Sequence, residues 1–202
     1  MDGTGTFVAS YIFNYMSNSI VAYHGSNVKI SKFDLSKLKT GQGSNDWGVG
    51  VYFTDNAGLA NKHGNFIHTV TINQANTLKQ WEEVASKELL VYTLQRLMKG
   101  NHIDDETAKG FLNAIKEGEE INYLGIMNYV EELVGIKETV KLFREFGING
   151  LIIPSEGSSY GTIYSILNPD IINIDKVAPS QKQELTNRLR EALRIVLSGT
   201  DV

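Results

Sequence analysis

Cysteine is absent from the 202 residues. Disulfides, cysteine-ligated zinc and thiol nucleophiles are all excluded with it. Only three prolines occur, and two of them, Pro154 and Pro169, punctuate apolar stretches that read as strands. No segment approaches the roughly 20 consecutive apolar residues that span a bilayer, so no membrane partner is expected. The apolar stretch at 7–13 has neither a basic leader nor an Ala-x-Ala site, and Asn14 and Asn18 interrupt its surroundings. It reads as a folded lead-in rather than a signal peptide, and a cytoplasmic setting is expected, in the producing cell or in a target cell. Charge is also scarce: the net is −4 and the pI near 5.6. That argues against a general electrostatic grip on nucleic acid but leaves room for a local basic groove.

At 42% hydrophobic and 21% charged, the chain can bury a core, and its length fits a single domain over 1–202. No internal repeat or low-complexity tract is present. Strands are expected at 19–23, 48–54, 66–72, 150–153, 161–167 and 171–174. A short helix over 56–62, capped by Asp55, should stop at His63-Gly64. From about 80 to 146 the periodicity is helical. One helix is marked by Trp81, Val84, Leu89, Leu94 and Leu97, a second is capped at Asp104 to Glu106 and runs to Gly118, and two more cover 121–134 and 137–146. An amphipathic helix over 180–197 closes the chain. The fold class is therefore α+β, with β-rich parts flanking a helical insertion of about 80–146.

Two short segments carry most of the functional signal. Tyr23-His24-Gly25-Ser26 ends the first apolar run, and Gly48-Val49-Gly50-Val51-Tyr52-Phe53-Thr54 follows, with 28 residues from His24 to Tyr52. Glycine lets a flat ligand approach the backbone, histidine offers a ring nitrogen donor, and tyrosine offers a stacking face. An isolated strand-end histidine is ordinarily structural, and an aromatic in a strand is ordinarily core. Together, at this spacing, they resemble the ADP-ribosyltransferase fold of the His-Tyr-Glu type, shared by poly(ADP-ribose) polymerases and diphtheria-like toxins. The stretch 146–153 and the run Tyr164-Ser165-Ile166-Leu167-Asn168-Pro169 are similar to small phage and bacterial members. The likeness covers roughly 19–73 and 143–176.

The resemblance implies two packed β-sheets around an NAD cleft and a set of roles. His24 would bind a hydroxyl of the adenosine ribose, the Gly25 backbone would hold the nicotinamide amide, and Ser26 would assist at the ribose. Tyr52 would stack on nicotinamide. His63 stands where polymerase-type members place a second stacking tyrosine, and Ala60 stands where they place a serine. The family's glutamate position falls on Ile163, so the catalytic carboxylate is expected instead from Glu156, in the loop 154–160, with Tyr160 and Thr162 as hydrogen-bonding alternatives. Such a carboxylate stabilises the oxocarbenium-like charge that develops as nicotinamide leaves. The implied activity is mono-ADP-ribosyl transfer from NAD to a macromolecular acceptor, protein first and nucleic acid second, by a monomeric bacterial or phage effector without a metal. A non-catalytic NAD- or protein-binding module and an NAD glycohydrolase share the same pocket residues. The loops 41–47 and 155–160 would frame the acceptor, and the helical insertion would set target choice or cover the cleft. His68 and His102 carry no assigned role, and the acidic clusters fit helix starts better than a metal site.

Overall fold

A computed structural model describes residues 18–38, 48–154 and 161–198, the side chains of 193 and 195–198 excepted. Glu156, Tyr160, the segments 41–47 and 155–160, and the stretch 7–13 lie outside the described residues.

The strands are β1 (Ser19–Ser26), β2 (Val51–Thr54), β3 (Phe66–Asn73), β4 (Leu78–Gln80), β5 (Gly150–Ile153), β6 (Ile163–Ile166) and β7 (Ile172–Pro179). The helices are α1 (Ala57–Ala60), α2 (Lys87–Lys99), α3 (Asp105–Glu117), α4 (Tyr123–Glu145) and α5 (Gln181–Ser198). The α+β class holds. Where two packed sheets were expected, the described strands form one seven-stranded sheet in the order β4-β5-β6-β2-β1-β3-β7. Every neighbouring pair is antiparallel except β4 with β5, so the sheet is mixed.

The sheet has a narrow waist. Eight residues of β1 ladder with β3, from Ser19–Asn73 to Ser26–Phe66, and all four residues of β2 ladder with β6. The β1–β2 ladder joining these halves is one residue pair, Tyr23 with Thr54.

Alternation along the strands builds two cores, one on each face. Leu151 and Ile153 of β5 join the helix-side cluster with Leu89, Ile126, Val130 and Phe143, while Ile152 joins Ile20, Ala22, Val51, Phe53, Val70 and Ile166 on the other side. Burial on both faces explains the unbroken apolar run of β5. The helices begin where capping chemistry places them. Ser86, Asp104 and Asn122 each accept a hydrogen bond from the backbone N–H three residues on. Gly118, in the left-handed region, ends α3. Gly135 (φ 76°, ψ 169°) breaks α4 into two helical halves, matching the expected boundary between 134 and 137. Among the described residues, no helix is long and apolar enough to cross a membrane.

Three local expectations are corrected. Residues 81–86 are not helical: β4 occupies Leu78–Gln80, and the helical block starts at Lys87. Gly48 to Gly50 precede β2 rather than belonging to it. The cap of α1 is Asn56, whose side chain accepts from the Leu59 N–H, rather than Asp55.

Candidate functional site

The waist of the sheet gathers most of the sequence-predicted residues. His24 follows Ile20 and Ala22 on one face of β1, and its ring packs edge-on against Phe33, with centroids 5.1 Å apart, and at a tilt against Phe53, at 5.5 Å. Its Nδ1 lies 2.8 Å from the Tyr52 carbonyl oxygen. A carbonyl only accepts, so Nδ1 carries a proton. Burial is the main cause that holds the His24 pKa below the usual histidine range; the Tyr52 carbonyl opposes it, and His68 and His63 add to it. The favoured form is therefore neutral, with an acceptor lone pair on Nε2. The ring thus offers a ligand hydroxyl an acceptor, where a donor was expected.

His68, without a role in the sequence reading, fixes His24 from behind. It is fully buried, and the two residues are register partners on β1 and β3. The Ile30 N–H donates to His68 Nε2 at 2.8 Å. That nitrogen must be unprotonated, so the proton of the neutral ring is on Nδ1, which faces the His24 carbonyl at 3.3 Å. Burial lowers the His68 pKa, consistent with this tautomer. The sequence signal was an inward position in an alternating strand, but the register that pairs it with His24 is not written locally.

Gly25 points to the opposite face, under α1. A β-carbon there would lie 2.1 Å from the Ala60 carbonyl oxygen and 3.0 Å from the His63 Cβ. Gly25, Ala60 and His63 are therefore adjacent, with Ala60 buried and His63 exposed. Counting two residues along each strand from the Tyr23–Thr54 pair sets Gly25 across the waist from Tyr52. Tyr52 is half-buried, alternates with Val51 and Phe53 so that its ring faces the Gly25 side, and donates its phenol hydrogen to the Gly48 carbonyl. The His24 and Tyr52 rings thus occupy opposite faces, joined through the Tyr52 carbonyl. Ser26 accepts the Val28 N–H at 3.2 Å, which leaves its hydroxyl hydrogen to donate.

Gly50, read as a close-approach position for a ligand, serves the fold instead. A β-carbon there would meet Ser165 Oγ at 2.4 Å and the Ile166 backbone nitrogen at 3.0 Å.

Glu156 itself is outside the described residues, but the downstream foot of its loop is clamped. Asp55 Oδ1 accepts the Thr162 N–H at 2.9 Å, and the Asp55 N–H donates to the Thr162 carbonyl at 3.1 Å. This two-way contact ties the residue after β2 to the residue before β6, and it explains why Asp55 is not a helix cap. Ile163, at the position where the resemblance expects glutamate, is half-buried and packs with the helix-side cluster.

No protein-family model and no curated protein matches the chain. Among solved structures, one described as the crystal structure of an anti-CRISPR protein aligns at 16% identity. The alignment covers 81% of this chain and 96% of that one, at a TM-score of 0.37.

Proposed function

We propose that the chain binds NAD at the waist of the sheet and transfers a single ADP-ribose to a macromolecular acceptor, releasing nicotinamide. The observation that supports this best is the adjacency of Gly25, Ala60 and His63 on the face of the waist that Tyr52 also takes, with His24 held neutral on the other face. In this reading the halves of the sheet diverge beyond Tyr23–Thr54 and act as the walls of an NAD cleft. The Gly25 backbone meets the nicotinamide carboxamide, and Tyr52 and His63 supply flat walls for the ring. Ala60 closes the floor without a polar group. His24 Nε2 accepts a hydrogen bond from a hydroxyl of the adenosine ribose, and the Ser26 hydroxyl donates nearby.

The chemical step breaks the bond from the ribose anomeric carbon to the nicotinamide nitrogen, whose pair returns to the leaving ring. The acceptor nucleophile attacks the anomeric carbon and loses its proton to solvent. Glu156 is assigned the carboxylate role, stabilising the developing positive charge. Thr162, shortly after Glu156 in the chain, is held by Asp55, three residues beyond Tyr52.

A second reading, NAD binding without turnover, has one specific observation in its favour: Ile163 is apolar where the strand would offer a carboxylate. Incubation with NAD labelled in the adenosine half, with and without bacterial lysate, separates the readings. Transferase activity labels a macromolecule, and the label is lost in both Tyr52→Ala and Glu156→Gln. Free ADP-ribose without labelled acceptor indicates hydrolysis. Tyr52-dependent NAD binding without either product leaves the binding module, and no NAD binding at all overturns the proposal.

A further inference from the structure

A cavity of about 790 Å³ lies between the short 3-10 turn Leu35–Lys37 and the part of α4 that follows Gly135. Its lining includes Asn149, just before β5, and Asn168, just after β6. These mark the end of those two strands opposite to the loop 155–160, so the cavity is separate from the proposed transfer site.

Its walls combine two chemistries. Leu35 and Leu38 face Val140 across it, giving an apolar interior. Lys137, Lys141 and Arg144, spaced four and three residues apart on one face of the helix, line the same cavity. These cations are weakly committed. Lys137 has no ion-pair partner among the described residues. Lys141 pairs loosely with Glu138 at 3.7 Å and Arg144 with Asp170 at 3.8 Å, all four side chains being substantially exposed. The lining carboxylate, Glu145, is engaged elsewhere, by Arg96 at 2.9 Å and by the Tyr92 hydroxyl at 2.9 Å. A chain of net charge −4 thus gathers three available cations at one apolar hollow.

We propose that this cavity binds a small organic anion with an apolar body, such as a medium-chain carboxylate. The apolar walls take the body, and the anionic group sits among Lys137, Lys141 and Arg144. A bare inorganic anion would leave the apolar walls unused, and a neutral hydrocarbon would leave the cations unused. The volume falls within the few hundred to about 1,000 Å³ usual for small-molecule sites.

The probe is decanoate, titrated into isotopically labelled protein and followed by NMR, with 1-decanol and inorganic phosphate in parallel. Saturable shifts centred on Leu35, Leu38 and Val140 are expected for decanoate, with 1-decanol and phosphate each binding at least about tenfold more weakly. The double variant K137Q/K141Q, at two exposed positions, should weaken decanoate about tenfold while leaving the spectrum otherwise native. Three results would each overturn the proposal: no saturable decanoate shifts at these residues, equal affinity for the double variant, or either control binding as tightly as decanoate.

Discussion

The tautomers of two histidines connect burial to acid stability. His24 and His68 are both held below the ordinary histidine pKa of about 6.5, burial being the largest cause in each. The folded state therefore keeps them neutral over a pH range in which the unfolded chain takes up protons. Stability rises with pH wherever the unfolded state binds more protons. The contribution of these two residues is accordingly intact above about pH 6.5 and is lost as pH falls through and below that value. For His68 there is a geometric reason as well, since protonating Nε2 would set two donors, its own N–H and that of Ile30, against each other. The urea midpoint should be flat from pH 8 to 7 and fall between pH 6.5 and 5. In His68→Gln that fall should shrink, on a protein already less stable. An unchanged pH slope in the variant would remove His68 as its source.

Within elements, the same amino acid has opposite consequences at different positions. Gly25 has no room, because a methyl group must displace the Ala60 carbonyl, which is backbone and cannot rotate away. Gly25→Ala should destabilise by about 1–3 kcal/mol, as overpacking does, and on the proposed function should weaken NAD binding by shifting α1 from β1. Gly110 lies inside α3 with nothing within 4 Å of an added β-carbon. Gly110→Ala should stabilise by about 0.5–1 kcal/mol, since alanine restricts the unfolded chain and suits a helix. Denaturant midpoints of the two variants, read beside the parent, check both signs. The elements most legible in the sequence were those whose ends are chemically marked: Asp104 before α3, Gly118 after it, and the glycine interruption at 135. Leu78-Lys79-Gln80 was not legible as a strand, because three residues carry no period and its pairing partner, β5, lies about 70 residues away. Asp55 looked like a cap because capping is local chemistry, whereas its actual partner, Thr162, is 107 positions distant. The site divides in the same way. His24, Gly25, Tyr52, Ala60 and His63 are proposed through the family resemblance, while His68 and Phe33, which pack beside His24, depend on register and on packing of the segment after β1.

At the scale of the whole molecule, proximity in space is achieved by chain segments far apart in sequence. The β3–β7 ladder joins residues about 100 positions apart, such as Ile72 with Ile172. The sheet edge formed by β7 can therefore form only after nearly the whole chain has been made. Folding through such non-local pairings is intrinsically slow, and refolding from urea should complete on the scale of roughly milliseconds to seconds, as followed by the combined fluorescence of Trp47 and Trp81. A submillisecond single phase would contradict that expectation. The waist at Tyr23–Thr54 has a further consequence. The chain passes from one half of the sheet to the other four times: β1 to β2, β2 to β3, β3 to β4, and β6 to β7. A seam with one rung of pairing is thus sewn by four threads of covalent backbone. Neither half is a continuous piece of polypeptide, so neither can be excised, swapped with another copy or inherited as a separate module. Whatever wedges between the halves must load all four crossings together.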